Sequence, residues 1–315
     1  MNCHKVLFFT IAVLLSLAFV QKSMSSDSDV KGSIGEDWKG KIYWALWGEN
    51  KIAQANHDGS NRKFFVETGR FPDALIVDVK NGFMYWTNMG QVEGTALIGS
   101  IQRCQMDNCS NTIVTIVDEG KTATPKQLDL DKVNGYIYWS DRDRDLVQRS
   151  KLDGSNVETV LILKETIGAE PVGCAVDEEN NILFWSEKNN NRIGRIKLAN
   201  LKLPYQPQKS DYIVTEGLTG PCEIKIDKRR DKIFITERYS SQISSVSLDG
   251  GFPDVIVNAE LSQTVGLALD RKEGIIFISE LFERDINSVH MDGSNFRKIC
   301  DSGGSYAVGM FFVPK

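Results

Sequence analysis

The chain predicts an all-β fold, a six-bladed β-propeller of four-stranded antiparallel blades, and three recurring phrases carry that prediction. The first phrase is aromatic. It reads Tyr43-Trp44, Tyr85-Trp86-Thr87-Asn88, Tyr138-Trp139-Ser140-Asp141 and Phe184-Trp185-Ser186-Glu187, with weaker copies at Phe234-Ile235-Thr236-Glu237 and Phe277-Ile278-Ser279-Glu280. The second, Pro-x-x-apolar-x-apolar-Asp, precedes most of these: Pro72 to Asp78, Pro125 to Asp131, Pro171 to Asp177, Pro221 to Asp227, and Thr264 to Asp270 without the proline. The third follows them as Asp58-Gly59-Ser60-Asn61, Asp153-Gly154-Ser155-Asn156, Asp249-Gly250-Gly251 and Asp292-Gly293-Ser294-Asn295. Repeats of roughly 40 to 50 residues, each holding several strands, mark a propeller.

Each element of a blade can be justified from one repeat. In the third, residues 127–131 form a short innermost strand and Asn134-Gly135 supplies a tight hairpin turn. Residues 136–140 are the second strand and 146–152 the third. Asp153-Gly154 turns the chain, and 157–163 form the outer edge. The second strand, Tyr136-Ile137-Tyr138-Trp139, is apolar on both sides, so it must be covered on both faces. Blades stacked around an axis provide that cover and shorten the exposed sheet edges.

Six copies of the second strand give six blades. The first copy, Lys41-Ile42-Tyr43-Trp44, has no first strand before it. The last residues, Ala307-Val308-Gly309-Met310-Phe311-Phe312-Val313, match the innermost strand Thr264-Val265-Gly266-Leu267-Ala268-Leu269-Asp270. The C-terminal strand is therefore expected to join the N-terminal blade and close the ring.

The rest of the 315-residue chain sets the context. Residues 1–26 read as a signal peptide: Lys5 precedes the apolar run 6–20, and Ser23, Ser25 and Ser26 follow. Residues 27–39 read as a flexible lead-in and 40–315 as the propeller. The apolar run is short for a membrane span and no other long one occurs, so a secreted, extracellular protein without a membrane span is expected once the signal is removed. Of six cysteines, Cys3 leaves with the signal. Cys104 and Cys109 are expected to form a disulfide across a hairpin loop. Cys174 sits at an inward apolar position, as a small buried hydrophobe, and Cys222 and Cys300 have no assigned partner. Asn108-Cys109-Ser110 is a glycosylation sequon, placing Asn108 in solvent. A formal net charge of −5 argues against nucleic acid as a partner.

The three phrases closely resemble the YWTD propeller, the class B repeat of the low-density lipoprotein receptor family, over residues 40–315. The resemblance rests on Tyr138-Trp139-Ser140-Asp141, Leu152-Asp153-Gly154-Ser155-Asn156 and the proline-led inner strands. The motif aspartate survives at Asp141 and is replaced by glutamate in three repeats, by Asn88 and by Leu46. The resemblance implies that this residue ties neighbouring blades, so the glutamates suggest a variant of the same network. The cysteine-rich repeats, epidermal-growth-factor-like modules and membrane anchor of family receptors do not occur in this sequence. A free-standing domain is therefore expected, without receptor endocytosis.

Catalytic signals are sparse, and no cofactor or metal is expected. His57 and His290 occupy matching places before Asp-Gly turns, which reflects repeat register at the surface. Neither a Gly-x-Ser-x-Gly elbow nor a zinc cluster occurs. Asp141-Arg142-Asp143-Arg144-Asp145 lacks the glycine and distal glutamate of a calcium loop, the twelfth position being Leu152. Trp44, Trp86, Trp139 and Trp185 are assigned to the core between blades.

The loops after the second strands carry no such packing duty. With the starts of the inner strands they ring one mouth of the axial channel. Trp47, Asn50, Met89, Arg142, Arg144, Arg238, Tyr239, Phe282 and Arg284 lie on them, joined by Phe71 and Tyr306. Exposed aromatics and arginines are what binding hot spots use, and the resemblance implies a protein-binding face there. The expected function is a secreted non-enzymatic module that binds an extracellular protein or peptide. The alternatives are a metal-dependent lactonase-like or strictosidine-synthase-like enzyme using Asp73, Glu170 and Glu223 in the channel, and a matrix component cross-linked through Cys222 or Cys300.

Overall fold

A computed structural model of the chain describes residues 37–315 except 93, 164–167, 259–260 and 305. The signal peptide and residues 27–36 of the lead-in lie outside the described residues. The compact unit that holds the propeller runs from Trp38 to Lys315. Trp38 is buried, donates its indole N–H to Asp107 Oδ1 at 2.8 Å, and offers its carbonyl to the Tyr43 hydroxyl at 3.0 Å. A large aromatic surface removed from water orders the end of what reads as a flexible lead-in.

Six four-stranded antiparallel sheets follow one another along the chain, and each runs outward from an innermost strand. Blade 2 comprises Pro72–Asp78, Phe83–Asn88, Ser100–Gln105 and Val114–Val117. Blade 3 comprises Pro125–Asp131, Tyr136–Asp141, Leu146–Lys151 and Glu158–Ile162. Blade 4 comprises Pro171–Asp177, Ile182–Glu187, Arg192–Lys197 and Tyr212–Val214. Blade 5 comprises Pro221–Asp227, Lys232–Glu237, Gln242–Ser247 and Gly250–Val257, and blade 6 Thr264–Asp270, Ile275–Glu280, Asp285–His290 and Arg297–Asp301. Blade 1 is composite. Ala307–Val313 pairs with Lys41–Leu46, which leads to Lys51–Asn56 and Lys63–Glu67. Lys41 lies opposite Val313 and Trp44 opposite Met310. The six innermost strands touch in a closed cycle, so the ring closes as a propeller through the C-terminal strand.

Each recurring residue has a local task. The aspartate ending each inner strand of blades 2 to 6 caps the hairpin that follows. Asp131 accepts the Asn134 backbone N–H at 2.9 Å and side-chain N–H at 2.8 Å, Asp78, Asp177 and Asp270 likewise accept the backbone N–H three residues on, and Asp227 accepts that of Arg229 two residues on. In the third phrase Asp58, Asp153 and Asp292 each accept the backbone N–H and the hydroxyl of the serine two residues on. Gly154 there has φ 88°, and a Cβ would sit 1.7 Å from the Ile116 carbonyl oxygen of the preceding blade. Backbone conformation and neighbour contact both demand glycine.

The motif strand welds the blades. Trp44, Trp86, Trp139 and Trp185 are fully buried, and each indole N–H is bonded, to Ser302 O, Gln102 Oε1, Thr122 Oγ1 and Glu187 Oε1. The motif hydroxyl donates to a carbonyl on the next blade's inner strand: Thr87 to Lys126 O, Ser140 to Val172 O, Ser186 to Cys222 O, Thr236 to Val265 O and Ser279 to Val308 O. Blade 1 has Ala45 at this place and lacks the bond. In blades 3, 5 and 6 the motif acid holds the linker that enters its own blade, while Glu187 of blade 4 accepts from Trp185, Asn190 and Arg192. Asp141 accepts from the Thr122 hydroxyl and from Ala123 and Thr124 N–H, Glu237 accepts Thr219 N–H at 2.6 Å, and Glu280 accepts Ser262 N–H at 2.6 Å. Glutamate thus sustains the network that the aspartate builds.

Cys104 and Cys109 form a disulfide that joins the end of Ser100–Gln105 to the 3-10 turn Met106–Asn111. Asn108 is exposed on that turn. Cys174 is fully buried, as its inward register requires, and burial raises its thiol pKa well above the ordinary value. His57 is more than a surface residue in register. Its ring stands edge-on to Phe277 and Phe312, with Nε2 at 3.2 Å from Asp270 Oδ2, so it pins blade 1 to blade 6.

Candidate binding site at the mouth

One hydrogen bond, repeated in every blade, builds the mouth. The residue just after each second strand donates its backbone N–H to the carbonyl of the residue just before the inner strand. The pairs are Trp47 to Tyr306, Met89 to Phe71, Arg142 to Thr124, Lys188 to Glu170, Arg238 to Gly220 and Leu281 to Gln263, at 2.9 to 3.2 Å. Five of the six acceptor residues are left-handed: Phe71 at φ 54°, Glu170 at 46°, Gly220 at 68°, Gln263 at 49° and Tyr306 at 54°. For the non-glycine residues that conformation costs about 1–3 kcal/mol each, and it persists only where neighbours enforce it. Short polar side chains on the rim do so. Asn50 accepts Phe71 N–H at 2.9 Å, Asp145 accepts Glu170 N–H at 2.9 Å, Asn191 accepts Gly220 N–H at 2.7 Å, and the Ser241 hydroxyl accepts Gln263 N–H at 3.0 Å. Asn50 is thus a positioning residue for Phe71. Blade 6 has Arg284 at the corresponding left-handed place, φ 62°, where the side chain has no acceptor to offer.

The mouth divides into two arcs. On blades 6, 1 and 2 an aromatic chain runs edge-to-face: Phe71 to Trp47 at 5.7 Å, Trp47 to Tyr306 at 5.9 Å and Tyr306 to Phe282 at 6.0 Å between ring centroids. Phe282 is 51% and Tyr306 39% exposed, although both are large apolar rings. On blades 3, 4 and 5 the residues are cationic. Lys126 Nζ meets Asp73 Oδ1 at 2.7 Å, Arg142 Nε meets Asp143 Oδ1 at 2.5 Å, and Lys188 pairs with Glu170. Tyr239, 58% exposed, lies against Gly220 with Lys188 Nζ 6.0 Å over its ring.

Between the arcs lies a cavity of about 60 Å³ lined by Trp47, Lys126, Arg142, Lys188, Cys222 and Arg238 among others. Small-molecule pockets run to ~300–1,000 Å³, so this space admits one side chain rather than a whole substrate. Below it a polar plug crosses the axis. Gln127 Oε1 accepts Cys174 and Ile224 N–H, both at 3.0 Å, while its amide nitrogen donates to Ile224 O at 2.7 Å. Glu223 accepts Leu267 N–H at 2.9 Å and meets Lys225 Nζ at 2.8 Å. Burial raises the Glu223 carboxyl pKa and lowers that of Lys126, with Asp73 opposing the shift on the lysine. The Cys222 thiol is pushed up to about 11 by burial, and the half-buried Cys300 likewise to about 11.

Of the residues expected at the mouth, Trp47, Arg142 and Arg238 line the cavity, and Phe71, Tyr239, Phe282 and Tyr306 stand beside it through the ring contacts above. Met89 is fully buried and supports the rim rather than presenting a surface, because its place in the repeat is filled by a flexible apolar chain that packs inward. Arg144 reaches Lys121 O at 3.2 Å and does not line the cavity, and Arg284 is exposed away from it. Lys126, Lys188 and Leu281 escape the sequence reading, and Cys222, read there only as a thiol without a partner, lines the cavity. The signal for Lys188 and Leu281 is present in the repeat, as the residue following the motif acid.

Comparison with known proteins places the chain. No family model matches it. It is 36% identical over 99 residues to low-density lipoprotein receptor-related protein 1 of Pyricularia oryzae, covering 30% of this chain and 30% of that protein. It is 40% identical over 57 residues to low-density lipoprotein receptor-related protein 5 of Mus musculus, covering 18% of this chain and 4% of that one. The match therefore spans less than a third of either relative's length. In fold it is similar to a chain of a nidogen–laminin complex, with a TM-score of 0.71 at 14% identity, covering 86% of this chain and 97% of that one. It is also similar to a catalytically inactive virginiamycin B lyase from Staphylococcus aureus, with a TM-score of 0.57 at 16% identity, covering 82% and 80%. Identities this low speak to the fold alone.

Proposed function

We propose that this chain, which fits a class B propeller domain of the low-density lipoprotein receptor type, is a binding module that captures an extracellular protein or peptide on its loop-lined mouth. The aromatic arc carries this reading. Phe282 and Tyr306 expose large rings that meet edge-on, and Tyr306 also meets Trp47 edge-on. Tyr306 does so on a left-handed backbone that costs stability. Rigid aromatic anchors of this kind supply contact area at low entropic cost. No covalent bond is made or broken. Asp73, Glu170 and Glu223, the carboxylates an enzymatic channel would use, are occupied by Lys126, Lys188 and Lys225. A cross-linked matrix role has less support, because the thiols of Cys222 and Cys300 both sit far above neutral pH.

Secretion belongs to the same reading, and the Cys104–Cys109 disulfide and exposed Asn108 suit an oxidising, glycosylating compartment. The test is capture from the organism's own extracellular fluid by wild type beside the double variant Tyr239→Ala, Phe282→Ala. Both rings are exposed, so the variant is expected to keep the wild-type melting temperature while losing the captured partner. Equal capture by both proteins would remove the mouth from consideration.

A further inference from the structure

Most cations around the axial mouth are held in ion pairs, and one is not. Lys126, Lys188 and Lys225 pair with Asp73, Glu170 and Glu223, and Arg142 with Asp143. Arg238 remains. Among the described residues its guanidinium has one partner, the neutral Gln263 side-chain oxygen, at 3.3 Å from Nε. It is half-buried and lines the axial cavity, and also the neighbouring surface pocket that holds Asp143, Asp145 and Glu170, each of which is already engaged by another donor. A second donor lines the same cavity: the indole Nε1 of Trp47 is buried from water and has no acceptor among the described residues. A buried N–H left unpaired forfeits the hydrogen bond it would make to water. The four other motif-region tryptophans, Trp44, Trp86, Trp139 and Trp185, all satisfy theirs.

From this juxtaposition of an arginine without an ion pair and an orphan indole N–H in one side-chain-sized cavity, we propose that the partner inserts a single carboxylate into the axial mouth, with Arg238 as its anchor. This rests on the binding-module reading above and specifies the chemistry of its centre. Guanidinium and carboxylate match in a planar fork, which favours a carboxylate over a rounder anion. A cationic group is disfavoured, because Asp73 and Glu223 are already neutralised and Lys126, Arg142 and Lys188 surround the opening. The aromatic arc then packs the flanking residues of the inserted segment. The carboxylate comes either from an Asp or Glu side chain or from a chain terminus.

The test uses a displayed library of random heptapeptides selected on the immobilised full chain, with the double variant Tyr239→Ala, Phe282→Ala as counter-selection. Enriched peptides are synthesised with each acidic residue changed to its amide, and with free or amidated C-termini. Binding is measured to wild type, Arg238→Ala, Arg238→Lys and Trp47→Phe. An Asp or Glu is expected at one enriched position, and its conversion to Asn or Gln should weaken binding about tenfold or more, as a lost charged hydrogen-bond pair does. Arg238→Ala should weaken binding equally and show no further loss with the amide peptide, the mark of direct coupling. Arg238→Lys should restore part of the affinity and Trp47→Phe should cost a few-fold. Loss on amidating the C-terminus instead would assign the carboxylate to the chain end. Enriched peptides that are neutral, or whose acidic preference survives Arg238→Ala, would overturn the carboxylate anchor while leaving the aromatic mouth standing. No enrichment over the double variant would overturn both.

Discussion

The two halves of the mouth are built on one backbone frame and carry opposite chemistry. In blades 3, 4 and 5 the motif ends in Asp141, Glu187 and Glu237, and the next residue is Arg142, Lys188 or Arg238. In blades 1 and 2 the motif ends in Leu46 and Asn88, and the next residue is Trp47 or Met89. Blade 6 is mixed, with Glu280 before Leu281. Where the motif ends in a carboxylate, the rim of blades 3 to 5 is cationic, with Arg142 and Lys188 in ion pairs and Arg238 without one. Where the carboxylate is lost, the rim is apolar and held by rings that meet edge-to-face. The aromatic half also straddles the seam where the C-terminal strand closes the ring, so its placement depends on strands from both ends of the chain.

That dependence gives the largest expected effect. Removing residues 306–315 deletes Ala307–Val313, which buries Ala307, Val308, Met310, Phe312 and Val313 and pairs along Lys41–Leu46. The loss should exceed the ~5–15 kcal/mol that holds a domain together. No cooperative thermal transition should remain. A truncated chain that melts cooperatively with Trp44 still buried would show that the aromatic half needs no closure.

Next in size is the contrast between linker acids. Asp141→Ala strands three donors, the Thr122 hydroxyl and the Ala123 and Thr124 N–H groups, in a fully buried place. The expected cost is roughly 2–5 kcal/mol, read as a shift in urea midpoint. Asn88→Ala removes two side-chain contacts, to Ser100 and Gln102, and should cost about 1 kcal/mol. Equal losses would mean that the two halves are fastened alike.

These differences explain what the chain discloses when read as letters. The blades are legible because the same residues do the same work six times. Tyr138 and Trp139 fill a two-sided core, Asp131 caps a hairpin, and Gly154 meets a neighbouring carbonyl. The ring closure is legible because Ala307–Val313 repeats the pattern of Thr264–Asp270. Much of the mouth is legible by elimination, since its loops lack a repeated task. Lys126 is not, because its meaning depends on Asp73, 53 residues away on another blade. His57 misleads for the same reason, as its partners Asp270, Phe277 and Phe312 are distant in sequence. Met89 misleads in the other direction, because nothing local says whether a rim residue turns inward.

A smaller effect, of opposite sign, should come from the seam between blades 1 and 2. Five motif hydroxyls bond the next blade's inner strand, and Ala45 alone does not. The carbonyl that its hydroxyl would reach, that of Asp73, lies 2.5 Å from a Cβ built on Gly309, as the Cys222 carbonyl lies 2.5 Å from one built on Gly173 beside the bonded Ser186. Ala45→Ser should therefore stabilise the protein by about 0.5–1.5 kcal/mol. A destabilised variant would show that the apolar half excludes even one hydroxyl from its seam.

The smallest expected effect serves as a control, because it belongs to both halves. Asp58, Asp153 and Asp292 lie on turns of blades 1, 3 and 6, and the serine hydroxyl two residues on, helped by its backbone N–H, holds each carboxyl below the usual range. A depressed carboxylate pKa favours the folded state at pH values above the unfolded pKa, near 3.9. The contribution is lost as pH falls through the lower folded value, where the native carboxylate also takes up its proton. All three sites are solvent-exposed, so the effect is small and screened by salt. The triple variant Ser60→Ala, Ser155→Ala, Ser294→Ala removes the hydroxyl donors and should melt slightly below wild type at pH 6. That gap should narrow as the pH approaches 3, in melting curves followed by tryptophan fluorescence. A gap that stays constant down to pH 3 would mean that the serines act through packing rather than through charge. A gap that vanishes in single-serine variants of blade 3 but persists in those of blades 1 and 6 would carry the asymmetry of the mouth through to the opposite face of the ring.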